Sequence, residues 1–475
     1  MSTTTRPDHR PDHRPDHRDG RRRPRRPSRL RRLVAGATAA AAFVALSGCS
    51  AVGAPAADGT TSVDYWLWES LQLPGYQKCA DAFEAENPDV TIRITQYGWA
   101  DYWQKLTAGL VAGAGPDVFT DHLTKYPEFV TRGVILPLDD FEATADIDPA
   151  DYQEGLAELW KGQDGKQYGS PKDFDTIALF YDEKVLSEAG MTPADLDGLT
   201  WNPEDGGTFE DVIAHLSVDA NGVRGDEEGF DPTNVVTYGL GSNGAGDTNG
   251  QTQWSWLAGA TGWDYTNAPV WGDEYHYDDP RFKASIAWLF GLVDKGFLPS
   301  YERVGTAPNL VQQLGSGQAA LTADGSWTIS SYARLQGVDL GIASVPIGPI
   351  GHPVSMYNGL GDSISAQTDA PEESARWVRF LGSDACQTIV GDEGVIFPAR
   401  PAGTDAAIAA FADEGIDVTP FTDLVADGDT VLFPVTNNAA EILSIMRPVM
   451  DGIYIGSESV DSLDAVNRRV NGLFD

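Results

Sequence analysis

The chain has 475 residues, 41% of them hydrophobic and 10% aromatic, enough apolar material for more than one compact unit. Its charge is lopsided: residues 1–48 hold twelve Arg and four Asp, which leaves 21 basic against 66 acidic residues in the remainder, a net of −45. A surface that acidic repels phosphate backbones and anionic headgroups, which argues against nucleic acid as a partner and for solubility.

In chain order, the tetrapeptide RPDH recurs from Arg6, Arg10 and Arg14, and an Arg/Pro run follows from Arg21 to Arg32. This composition reads as a solvated low-complexity arm, and its interleaved histidines as part of that arm rather than a metal site. Leu33–Leu46 (LVAGATAAAAFVAL) is too short to span a bilayer and has the length of a secretory h-region. It runs into LSGC, Leu46 to Cys49, which resembles the bacterial lipoprotein box. That resemblance implies that 1–48 is a signal peptide, that Cys49 is lipidated, and that the mature protein sits on the extracellular face of the cell membrane. Residues 49–62, small, polar and Gly/Pro-containing, suit a tether between lipid and fold. No second apolar stretch reaches membrane-spanning length.

Beyond the tether, strands and helices alternate. Strand VDYWLW (63–68) precedes helix YQKCADAFEAEN (76–87), whose Tyr76, Cys79 and Phe83 recur at helical spacing. Strand VTIRITQY (90–97), helix DYWQKLTAGLVAG (101–113), strand DVFTD (117–121), helix LTKYPEFVTRG (123–133) and the segment ILPLDDF follow. This order predicts an α/β, doubly wound lobe with parallel pairing, whose ligand lies outside the carboxyl ends of the strands. Trp68 and Glu69, then Gln96 and Tyr97, then Asp121 and His122 would share that rim. Cys79 and Cys386 read as two independent buried thiols, with a disulfide between them as the alternative. DANGVRGD, Asp219 to Asp226, evokes a calcium loop, but Val223 and Arg224 occupy places that need a ligand and a Gly, so it reads as a surface loop.

Several further motifs fall in one order: NPD at Asn87, GPDV at Gly115, GVILPL at Gly133, YGSP at Tyr168, FYDEK at Phe180, QAAL at Gln318 leading to GSW at Gly325, and PEESA at Pro371 opening a helix that ends at Phe380 and Leu381. In this order the chain from 63 to 475 resembles the extracellular solute-binding proteins of ABC sugar importers, the family that includes the maltodextrin-binding proteins. The resemblance implies a two-lobe periplasmic-binding-protein-like fold of type II with a ligand cleft between hinged lobes. Carried over, lobe one is 63–172 with 361–430 and lobe two is 176–355 with 434–475. It further implies a carbohydrate ligand, permease subunits of an ABC importer as partners, a monomer, no cofactor and no catalytic role.

A pyranose offers C–H faces to flat aromatic rings and vicinal hydroxyls to carboxylates, amides and Arg. The candidates for the first task are Trp327 in DGSW, which the resemblance matches to a ring-stacking position, Trp254 in QTQWSW, and Trp68. Those for the second are Glu69, Asp121, His122, and Asp173 and Asp175 in KDFD. Tyr97 lies on the same rim. Asn358, Gly359 and Asp362 in YNGLGD sit at an implied crossing, where glycine lets backbone approach a ligand. Arg447 matches a position where maltodextrin binders suggest a cleft arginine, with a salt bridge to the acidic surface as an equal alternative, and Arg400 in FPAR is a further candidate.

Two alternatives keep part of this reading. A secreted glycoside hydrolase would share the leader, the acidity and a Trp-rich cleft, but no carboxylate pair stands out and HExxH, Walker, GxSxG and CxxC signatures are missing. A binder of a non-sugar solute such as a peptide would keep the fold, and acidic rim residues could greet a cationic ligand.

Overall fold

The computed structural model describes residues 59–306 and 309–475, with the side chain of Thr306 also left out. The arm, the apolar run and Cys49 lie outside the described residues. Among those described, no helix is long and apolar enough to cross a membrane.

Two large sheets organise the chain. In the first, Val90–Gln96, Thr61–Leu67, Val118–His122, Leu360–Ser365 and Ile135–Leu136 lie side by side in that order, and Ser170–Pro171 pairs with Leu360–Ser365. The first three strands run parallel, as their spacing by helices requires. The fourth arrives from much later in the chain and runs antiparallel to Val118–His122. The opening strand starts at Thr61, inside the expected tether. Its alternation buries Val63, Tyr65 and Leu67 against Tyr76, Phe83 and Trp377, and leaves Trp66 on the other face, edge-on to Tyr97.

The second sheet runs Leu340–Ala343, Ile177–Asp182, Ala319–Gly325, Val235–Leu240, Val218–Asp219, with mixed pairing. Every residue of Ile177–Asp182 and Ala319–Gly325 is buried, which matches their near-continuous apolar runs. The chain passes between the sheets through short ladders. Asp173–Phe174 pairs with Phe397–Pro398, and Ser355–Tyr357 with Thr430–Leu432. Asp175 bridges Asn358. The fold is a two-lobe, periplasmic-binding-protein-like α/β architecture.

Several local expectations change. Helix 123–133 shortens to Tyr126–Arg132 because Pro127 is tolerated only in a first turn, and Gly133 closes it in the left-handed region at φ 64°. Segment ILPLDDF yields a two-residue strand and a 3₁₀ turn. Cys79 and Cys386 form a disulfide with Cα atoms 5.2 Å apart, so the two-thiol reading is corrected. Helices Leu73–Glu86 and Asp384–Gly391 pack together, a pairing invisible to local spacing. Asp219 accepts backbone N–H groups of Asn221, Val223 and Asp231, so its carboxylate serves the loop itself.

Candidate functional site

Loops that follow strands of both sheets line one cavity of about 350 Å³. Its floor is the KDFD crossing. Alternation sets Asp173 and Asp175 toward the cavity, while Lys172 and Phe174 are buried away from it. Asp173 accepts the backbone N–H of Leu360 at 2.9 Å, and Asp175 accepts the Ser326 hydroxyl at 2.8 Å. Asp175 and Asn358 exchange two backbone hydrogen bonds, at 2.8 and 3.1 Å, so their side chains stand beside each other on one face. Burial pushes both carboxyls above the ordinary range; Asp173 adds to the effect at Asp175, whereas Lys172 opposes it at Asp173.

Trp68 and Glu69 enter from the end of the first strand. The Trp68 ring lies edge-on to Trp99 and Tyr102, each with centroids 5.1 Å away. Trp99 is 52% exposed, and it reaches the cavity from the first turn of helix Trp99–Ala112, which follows the second strand. His122 ends the third strand. Its Nδ1 accepts the Thr124 N–H at 3.1 Å, which leaves the proton on Nε2 as a donor. Burial, and then the Lys125 ammonium, hold this imidazole down to about 4, so it is neutral at pH 7.

From the second sheet, Trp327 follows Ala319–Gly325 in a 3₁₀ turn. Its ring folds over Gly325, where a Cβ would lie 1.9 Å from a ring carbon; this close approach is why a glycine precedes GSW's serine. Gln72, Gln251, Leu360 and Ile396 complete the lining. A second cavity of about 540 Å³ shares Trp99, His122 and Gln251 with the first and extends past Phe433 and Thr436 to Arg447.

The cavity thus gathers Trp68, Glu69, His122, Asp173, Asp175, Trp327 and Asn358 from the sequence candidates. The others lie elsewhere, each for a physical reason. Trp254 is a core residue, fully buried, with its ring N–H donated to the Ala245 carbonyl at 3.1 Å. Tyr97 packs on Trp66 with the Lys105 ammonium over its ring. Asp121 is fully buried beneath the rim, accepting the N–H of His122 at 2.7 Å, and Asp362 accepts the Tyr65 hydroxyl at 2.8 Å. Gly359 has no room for a side chain, because a Cβ would sit 2.7 Å from the Asp173 carbonyl oxygen. Arg400 is spent on Asp384 at 2.9 Å and Asp151 at 3.1 Å. Arg447 pairs with Asp247 at 3.1 Å and lines the second cavity, not the first.

Residues 78–415 match the family described as bacterial extracellular solute-binding protein. The maltodextrin-binding protein MdxE of Bacillus subtilis is 25% identical over 352 residues, 73% of this chain and 76% of that protein. An arabinooligosaccharide-binding protein of the same organism is 27% identical over 160 residues, 33% of this chain; the match spans only 36% of that relative's length. Among solved structures, an ABC substrate-binding protein from Listeria monocytogenes in complex with cycloalternan superposes with a TM-score of 0.72 at 17% identity, covering 87% of this chain and 99% of that one. The cyclic α-maltosyl-1,6-maltose binding protein from Arthrobacter globiformis gives 0.68 at 20% identity, covering 88% and 99%. With the family match spanning well over half of its length, the chain belongs to the bacterial extracellular solute-binding protein family.

Proposed function

We propose that this protein captures a mono- or oligosaccharide outside the cell and delivers it to the permease of an ABC importer without altering it. The observation that carries this reading is that residues from both sheets line one cavity at the chain crossings: Trp68, Glu69 and His122 from one side, Trp327 from the other, Asp175 and Asn358 between them. Flat indole surfaces with carboxylates, amides and a neutral imidazole donor suit a polyhydroxylated ring. Relatives named for binding maltodextrin and arabinooligosaccharide support the same ligand class.

In this reading the lobes are 63–172 with 361–430 and 176–355 with 434–475, hinged at three crossings, near Lys172 to Thr176, Met356 to Leu360 and Thr430 to Pro434. A stacked ring contributes roughly 0.5–1.5 kcal/mol beyond its buried area, and a net hydrogen bond about as much. Micromolar affinity needs about 8 kcal/mol, so contacts from both lobes are required and binding favours the closed form. The protein acts as a monomer held to the membrane by lipid on Cys49, after removal of residues 1–48. Calorimetry against glucose, maltose and maltotriose, with small-angle scattering of the same samples, tests this. Saturable binding with compaction supports it; no binding, or glycan turnover in those samples, overturns it.

A further inference from the structure

The cavity contains three carboxyl side chains, Glu69, Asp173 and Asp175, and among the described residues neither Lys nor Arg lines it. Lys172 is adjacent in the chain, but its ammonium turns away to the Tyr65 hydroxyl at 2.9 Å and lies 3.4 Å from the Tyr76 ring centroid. His122 supplies no charge at pH 7, since it is held neutral. Three indoles, Trp68, Trp99 and Trp327, complete walls whose π faces attract cations. Lys172 offsets Asp173 from behind the wall, but a neutral sugar enclosed here would leave Glu69 and Asp175 without a cation in the described lining, an arrangement that burial penalises.

A second observation points to a ligand. Asn358, 3% exposed and lining the same cavity beside the equally buried Gln72, has a buried side-chain oxygen with no hydrogen-bond partner among the described residues. Buried amide oxygens are ordinarily satisfied, so that of Asn358 awaits a polar partner. Asn358 stands directly opposite Asp175, whose Oδ1 is engaged by Ser326 and whose Oδ2 has no hydrogen-bond partner among the described residues. An ammonium, with three donors and no acceptor, fits between a free carboxylate oxygen and a neighbouring amide that can turn its oxygen inward.

We infer that the cavity selects a sugar bearing a free amine, an amino sugar in its ammonium form, seated against Asp175 and Asn358. This rests on the sugar reading proposed above and narrows it. The net charge of −45 beyond residue 48 would steer such a ligand inward.

The test is calorimetry at pH 7 with matched pairs that differ at one position: glucosamine against glucose, the disaccharide of glucosamine against cellobiose, and N-acetylglucosamine as the uncharged nitrogen control. The expected result is that each free amine binds at least tenfold tighter than its neutral counterpart, about 1.4 kcal/mol, and that acetylation abolishes the gain. Asp175→Asn should erase the preference, and Glu69→Gln, at a half-buried position, reduces it if Asp175→Asn fails to fold. Equal or weaker binding of the amines, or a preference unchanged in both variants, overturns the inference while leaving the sugar reading in place. Binding of neither member of any pair overturns the inference, and the sugar reading then falls as well if maltose and maltotriose also fail to bind.

Discussion

Lys172 to Asp175 feeds two charged clusters of opposite character. Behind the cavity wall, the Lys172 ammonium donates to Tyr65, and Tyr65 donates to Asp362, so cation and carboxylate are joined through one phenol and balance each other. On the cavity side, Asp173 and Asp175 share the lining with Glu69 and no cation among the described residues. Strand alternation separates the two: even-numbered positions of this segment stabilise the fold, and odd-numbered positions carry a cost that a ligand can relieve. Removing charge should therefore have opposite signs on the two sides.

The largest effect belongs to the balanced side. Lys172→Met leaves Asp362 buried without its cation and should cost about 3 kcal/mol in urea unfolding; adding Asp362→Asn should return at least half of it, and a neutral Lys172→Met would break the comparison. Next, Trp327→Ala should keep the fold and weaken sugar binding about tenfold, near 1.4 kcal/mol, read by calorimetry. On the unbalanced side, Asp175→Asn should raise the stability of the free protein by about 1 kcal/mol at pH 7. The sign follows from its raised folded pKa: the unfolded carboxyl ionises first, near 3.8, so stability declines as pH rises from there through the folded value. The variant should flatten that decline in thermal melts recorded from pH 4 to 7. The smallest effect is Arg447→Met, whose half-exposed pair with Asp247 should change stability by no more than about 0.5 kcal/mol.

The sequence made the parallel strand–helix alternation and the rim residues Trp68, Glu69 and His122 legible, because strand ends and helical spacing are local properties. Trp99 lay within reach of the same rule, one loop along, and Gln72 sits just ahead of a helix whose start was read three residues late. What stayed hidden depends on distant packing. Asp121 and Asp362 are acidic residues near the rim, yet Leu360–Ser365 pairs with Val118–His122 and buries both. Trp254 looks like any exposed-loop tryptophan until Trp263 and Phe282 enclose it. Arg400 and Arg447 were drawn away by Asp384, Asp151 and Asp247, partners that an acidic chain supplies too freely to identify from order alone.

The bond between Cys79 and Cys386 spans 307 positions. Since a chain emerges from its amino end, Cys79 must remain a thiol throughout the appearance of nearly everything that forms the second sheet, and the helix carrying it cannot be stapled in place until Cys386 follows. The helix at the start of the first sheet is thus stapled only after every strand of the second sheet has been made.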